Sequence, residues 1–297
     1  MTRRLFSLLL TAFIAFALLL PAPAATKKAP VKKQQTKAAM PKKQAPPAVY
    51  AAEREGTIPS ITASSAIIVD ASSGEVLYEH NADDARAVAS TQKLLTGLII
   101  AETGDLDGRV KVEYTDTQAE PSKLYLKTGE TYRRYDLLKI LLVKSMNDVA
   151  RCLARDNAGG QEAFASRMNA KARELGMSNS HFVNPNGLPA PGQYSTARDM
   201  SRVAIAAYRN RILRGIVNTR EITWRYADGR AREFENTNRV LRRWALCNGM
   251  KTGYTEAAGH CLISSASHGG RDVISVILGD KQVWDDSYRM LAWGLSR

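Results

Sequence analysis

Residues 90–100 read Ser-Thr-Gln-Lys-Leu-Leu-Thr-Gly-Leu-Ile-Ile, a hydroxyl and an amine three positions apart followed at once by a dense apolar run. Leu94, Leu95, Leu98, Ile99 and Ile100, closed by Thr103-Gly104, are too uniformly hydrophobic for a surface helix and predict a buried central one. On a helix, positions i and i+3 share a face one turn apart, so the Lys93 amine can reach the Ser90 hydroxyl and take its proton. Taken alone, such a pair is expected about once by chance in a chain of this length. Its place at the head of a buried helix gives it weight, because free N–H groups and the helix dipole there favour developing negative charge.

A lysine of ordinary pKa is protonated at neutral pH and cannot act as a base, so such a site needs burial and a second cation nearby. Lys251-Thr252-Gly253, on a predicted strand, supplies that cation, a hydroxyl able to bind a carboxylate, and a glycine that lets a substrate backbone approach. Ser145-Met146-Asn147, between two predicted helices, adds a hydroxyl and an amide able to relay a proton and hold a substrate amide. Lys127-Thr128-Gly129 spells the same tripeptide as 251–253, but it precedes Ser145 and leads into a helix; it reads as a surface turn.

Working outward, Ala66 to Asp70 and Val76 to Tyr78 flank Ser72-Ser73-Gly74 and predict a hairpin. Leu137 to Val143 and Val149 to Ala154 predict helices, as do Phe164, Met168, Ala172 and Leu175, with Gly176 to end the last. After the turn-rich stretch 184–192, Ser195 or Thr196 can cap a helix carrying Met200, Val203, Ala204 and Ala207. Ile222 to Tyr226, the stretch around Met250, Cys261 to Ser265 and Val273 to Leu278 read as strands, and Tyr288 to Leu295 as a final helix. Strands at both ends and helices between predict an α/β (α+β) fold, a sheet with an inserted helical part at about 90–195.

The three motifs in the order Ser-x-x-Lys, Ser-x-Asn, Lys-Thr-Gly resemble the signature of penicillin-binding proteins and serine β-lactamases. Gly74 to Tyr78, Phe182 to Leu188, Gly192 to Met200 and Gly249 to Gly259 further resemble the D-Ala-D-Ala carboxypeptidase family (peptidase family S11), over about Ile61 to Leu295. The resemblance implies a DD-peptidase/β-lactamase-like fold with a central antiparallel β-sheet flanked by helices. It implies peptidoglycan stem peptides as substrate, removal of the terminal D-Ala, and β-lactams as inhibitors acylating Ser90. It also implies roles: Ser90 as nucleophile and Lys93 as base, with Ser145 and Asn147 in proton transfer and substrate amide binding. Lys251, Thr252 and Gly253 are implied to receive the substrate carboxylate, and the N–H groups of Ser90 and Tyr254 the oxyanion. Arg198 and Asp199 match an Ala-Arg-Asp stretch of the family and are expected to form a structural ion pair.

A class A β-lactamase would need a deacylating Glu after Ser-x-Asn, and 181–188 has none. His80, His181, His260 and His268 form no metal-binding motif, so neither a metal nor another cofactor is implied. A D,D-endopeptidase cutting peptidoglycan cross-links would use identical motifs. Met146, where many carboxypeptidases carry Gly, and a chain that stops soon after the last predicted helix, without an added β-domain or anchor helix, keep that reading open. A non-catalytic wall-binding protein is a third reading, opposed by the intact motifs.

The charge of +13 is concentrated at the start. Thr2-Arg3-Arg4, the apolar run Leu5 to Leu20 and Ala22-Pro23-Ala24 predict a signal peptide over 1–24, with no Cys following to mark a lipoprotein. Residues 25–57, rich in Lys, Pro and Ala, predict a disordered tether before a catalytic domain over 58–297. Removing its seven lysines with Arg3 and Arg4 leaves +4. Export to the periplasm or cell envelope follows, with the tether available to anionic wall polymers or lipid; nucleic acid does not fit export. Three cysteines, Cys152, Cys247 and Cys261, allow at most one bridge; Cys247 and Cys261 flank a predicted turn and are the pair that two adjacent strands would bring face to face.

Overall fold

The computed structural model describes residues 59–297; the expected signal peptide and tether lie outside them. Five antiparallel strands form the main sheet in the order β2-β1-β9-β8-β7, from β1 (Ser65–Asp70), β2 (Val76–His80), β7 (Cys247–Thr255), β8 (Gly259–His268) and β9 (Arg271–Asp280). β3 (Arg109–Lys111) pairs with β4 (Thr131–Arg133), and β5 (Glu221–Arg225) with β6 (Ala231–Glu235), as two small separate ribbons. The antiparallel sheet with helices between its first and last strands agrees with the fold class expected from the residues.

The middle strands are covered on both faces, so they read as continuous apolar runs rather than alternating ones. Ile67, Val69, Ile263, Ile274 and Val276 face the helical layer, while Ala66, Ile68, Leu262, Val273 and Ile277 face α9 (Val283–Leu295). The helical layer is built on α1 (Lys93–Thr103), packed among α3 (Arg134–Lys144), α4 (Asn147–Ala158), α5 (Gln161–Glu174) and α6 (Ala197–Arg209). All residues of α1 from Lys93 to Ile100 are buried. Each buried leucine contributes about 2 kcal/mol. Thr196, as anticipated, caps α6, its hydroxyl accepting from the Asp199 N–H.

Several expectations need correction. Opposite Cys247 stands Ala266 and opposite Cys261 stands Gly253; the two cysteines also face different sides of the sheet. All three cysteines are free and buried. Arg198 and Asp199 do not pair with each other, since neighbours on a helix point about 100° apart. Arg198 instead binds Glu79 at 2.7 Å and Asp83 at 2.8 Å, and Asp199 binds Arg202 at 2.5 Å. Lys127-Thr128-Gly129 is an exposed turn, but it leads into β4 before α3. α9 starts five residues before Tyr288, where Asp285 and Asp286 favour a helix N-terminus. The ribbon strand β6 was not anticipated, because Phe234 is its only buried residue and little apolar pattern marks it.

Candidate active site

Four separate stretches of chain meet at β7, the last strand in the sheet order. The first is a 3₁₀ turn, Ala89–Gln92, that runs directly into α1 and sets Ser90 above Lys93. The second is the tight junction between α3 and α4, where Ser145 caps α3 in the left-handed conformation (φ 71°) and Asn147 opens α4. The third is the loop 184–188, and the fourth is Lys251 to Tyr254 on β7 itself. Ser90, Ser145, Asn147, Thr252, Gly253 and Tyr254 line one cleft of about 460 Å³. All eight residues singled out from the motifs are therefore at this place, Lys93 and Lys251 just beneath its floor.

The Lys93 Nζ is fully buried and has three neighbours: Ser90 Oγ at 2.7 Å, Asn147 Oδ1 at 2.8 Å and the Asn186 carbonyl at 2.5 Å. The Asn147 amide is oriented by its other end, whose Nδ2 donates to the carbonyls of Glu120 and Pro121. A neutral amine has two N–H bonds and one lone pair. Asn147 Oδ1 and the Asn186 carbonyl can only accept, so they take both N–H bonds and leave the lone pair for the Ser90 hydroxyl proton. Burial, and then the nearby Lys251 charge, hold the Lys93 pKa well below its ordinary value and favour that neutral form.

Lys251, equally buried, donates to Ser145 Oγ at 2.9 Å and to the Thr252 carbonyl at 2.7 Å. Desolvation lowers its pKa to about 7. The Thr252 hydroxyl donates to Thr237 Oγ1 at 2.8 Å. Gly253 is obligatory at its position: a Cβ there would lie 2.9 Å from the Ser90 N and 3.0 Å from the Thr91 N, closing the gap between strand and turn. The Ser90 N–H thus stands beside the strand that carries the Tyr254 N–H.

Two contributors escaped the sequence reading. The Asn186 carbonyl also lies 3.3 Å from Ser90 Oγ, and no side-chain pattern announces a backbone carbonyl; the only cue was the turn chemistry of Asn184-Pro185-Asn186-Gly187. Thr237 precedes the α8 helix (Arg239–Arg243), and its Asn-Thr-Asn setting resembles an ordinary cap. Among the described residues, no group of three or more His, Cys, Asp or Glu side chains could hold a metal ion.

An antiparallel five-stranded sheet with Lys-Thr-Gly on its edge, met by Ser-x-x-Lys and Ser-x-Asn from the helices, is the architecture of the DD-peptidase class of penicillin-binding proteins. The chain belongs to peptidase family S11, D-alanyl-D-alanine carboxypeptidase, whose model matches residues 51–282. It is 35% identical over 273 residues to the D-alanyl-D-alanine carboxypeptidase DacC of Escherichia coli, covering 84% of this chain and 65% of that one. It is 34% identical to the D-alanyl-D-alanine endopeptidase of E. coli, covering 82% and 80%. The D-alanyl-D-alanine carboxypeptidase structure from Mycobacterium tuberculosis H37Rv superposes with a TM-score of 0.77 at 33% identity, over 82% of this chain and 94% of that one. The chain thus spans slightly less than two thirds of the DacC length.

Proposed function

We propose that this protein is a serine-type D-Ala-D-Ala carboxypeptidase that removes the terminal D-Ala from peptidoglycan stem peptides through an acyl-enzyme on Ser90. The observation that carries the reading is the Lys93 environment, in which two fixed acceptors turn the amine's lone pair toward Ser90 while burial favours the neutral amine. Ser90 Oγ forms a bond to the carbonyl carbon of the penultimate D-Ala while its proton passes to Lys93 Nζ. The Ser90 and Tyr254 N–H groups stabilise the oxyanion, and Lys251 with Thr252 holds the terminal carboxylate. The C–N bond then breaks, the leaving amine takes a proton through Lys93 and Ser145, and water hydrolyses the ester. Asn147 positions both Lys93 and the substrate amide.

A β-lactam would acylate Ser90 by the same ring-opening attack, and no Glu in the loop 181–188 stands ready to speed its release. The segments 1–24 and 25–57 support export to the periplasm or cell envelope, with the lysine-rich tether free to meet anionic wall polymer or lipid. Purified protein should take up a fluorescent penicillin and release D-Ala from a pentapeptide, and Ser90→Ala should abolish both. Labelling that survives Ser90→Ala would overturn the assignment. The endopeptidase reading shares every step and differs only in the leaving group.

A further inference from the structure

The cleft is wider than the reacting groups alone require: besides Thr252 and its hydrogen-bond partner Thr237, it is lined by Arg239, Arg242, Lys144 and Glu235, and by Val283 and Trp284 at the start of α9. If Thr252 takes the carboxylate of the scissile residue, this added width lies on the leaving-group side, beyond the room a single alanine needs.

The charge on that wall is lopsided. Arg242 is paired with Glu235, the only carboxylate among the described residues that line the cleft. Among the described residues, Lys144 and Arg239 make no ion pair, and each lies over an aromatic ring: Lys144 Nζ is 5.9 Å from the Phe234 centroid and the Arg239 guanidinium 5.3 Å from that of Trp284. An aromatic face beneath an arginine restricts its motion without consuming its hydrogen-bonding edge, which stays available to a carboxylate. Asn238 holds Arg239 at the first position of α8 by accepting from the Val240 and Leu241 N–H groups, so the guanidinium is carried by a capped element and not by a loose loop.

We infer that Arg239, stacked on Trp284 and assisted by Lys144, forms a leaving-group subsite for amines larger than alanine whose side chains end in a further carboxylate. This rests on the proposed peptidase reading and adds to it the class of leaving group, a D-amino acid with an acid-tipped chain such as a cross-linking residue would present.

The test uses three substrates with one acyl donor, Nα-acyl-D-Ala, joined to D-Ala, D-norleucine or D-α-aminoadipate. The full-length protein should prefer the aminoadipate over the norleucine leaving group by about three- to ten-fold in kcat/KM, the range of a partly screened ion pair, and the preference should shrink in high salt. Arg239→Gln should bring the ratio close to one, Arg239→Lys should restore part of it, and Arg243→Gln, an exposed arginine of the same helix outside the cleft, should leave it intact. Because the ratio is internal to each variant, a general loss of activity does not disturb it. Equal rates for the two long leaving groups, or a ratio untouched by Arg239→Gln, would sink the subsite. Failure to release any of the three D-amino acids, together with no Ser90-dependent penicillin label, would instead sink the peptidase reading beneath it.

Discussion

Lys93 and Lys251 are two buried amines sharing one site, and the proposed mechanism needs each in a different protonation state. Lys93 must be neutral to take the Ser90 proton, and Lys251 must be charged to meet a carboxylate. Burial pushes both pKa values down, and the Lys251 charge pushes Lys93 further. The acylation rate should therefore be bell-shaped in pH, rising as Lys93 loses its proton and falling as pH passes about 7 and Lys251 loses its own. Lys251→Gln removes the like charge, so its acid limb should move to higher pH. Second-order acylation by a penicillin, measured across pH in both proteins, checks this; an unmoved limb would refute the coupling.

At the scale of elements, the site depends on a close approach that a side chain would block and on a tight helix junction. Gly187 sits at φ 83°, and a Cβ there would fall 2.1 Å from the Ala89 carbonyl oxygen, inside any permissible contact. The loop 184–188 must press this closely to bring the Asn186 carbonyl to Lys93. Gly187→Ala should cost at least about 2 kcal/mol of stability, from positive-φ strain and the clash together, and slow acylation at least ten-fold. Thermal melting and penicillin acylation report the two effects separately, and a variant acylating at the wild-type rate would mean the loop does not set the Lys93 geometry. The α3 to α4 junction acts likewise: Ser145 in the left-handed conformation ends one helix and Asn147 starts the next, so two functional groups issue from a turn of three residues. Much of this was legible in the chain. The apolar run after Lys93, the Ser-x-Asn break and the Asn-Pro-Asn-Gly turn are local signals, and the elements formed where they stood. Strand β5 was legible, but its partner β6 and the register that separates Cys247 from Cys261 were not, because strand pairing depends on partners beyond the local pattern.

For the molecule as a whole, the site is a stability burden carried by the core around it. A lysine whose folded pKa is about 7 binds fewer protons in the native than in the unfolded state at any pH between about 7 and 10.5. Stability must therefore rise with pH across that window, and the cost of burying Lys251 is full below it. The depression from 10.5 to about 7 corresponds to a cost on the order of 5 kcal/mol. Melting temperature should rise from pH 7 towards pH 10, and the rise should flatten in Lys251→Met, which fills the same volume without a charge. An equal slope in both proteins would show that the gain comes from elsewhere.

The ordered motifs, the apolar runs and the turn residues were enough to place Ser90, Lys93, Ser145, Asn147 and Lys251 in one kind of enzyme, because each is a local pattern written in residue types. The depressed amines, the Asn186 carbonyl that orients Lys93 and the Arg239–Trp284 stack on the cleft wall emerged only from the folded chain. Desolvation, the direction of a backbone carbonyl and the width of a cleft are properties of what packs against a residue from far along the sequence, and no periodicity near that residue encodes them.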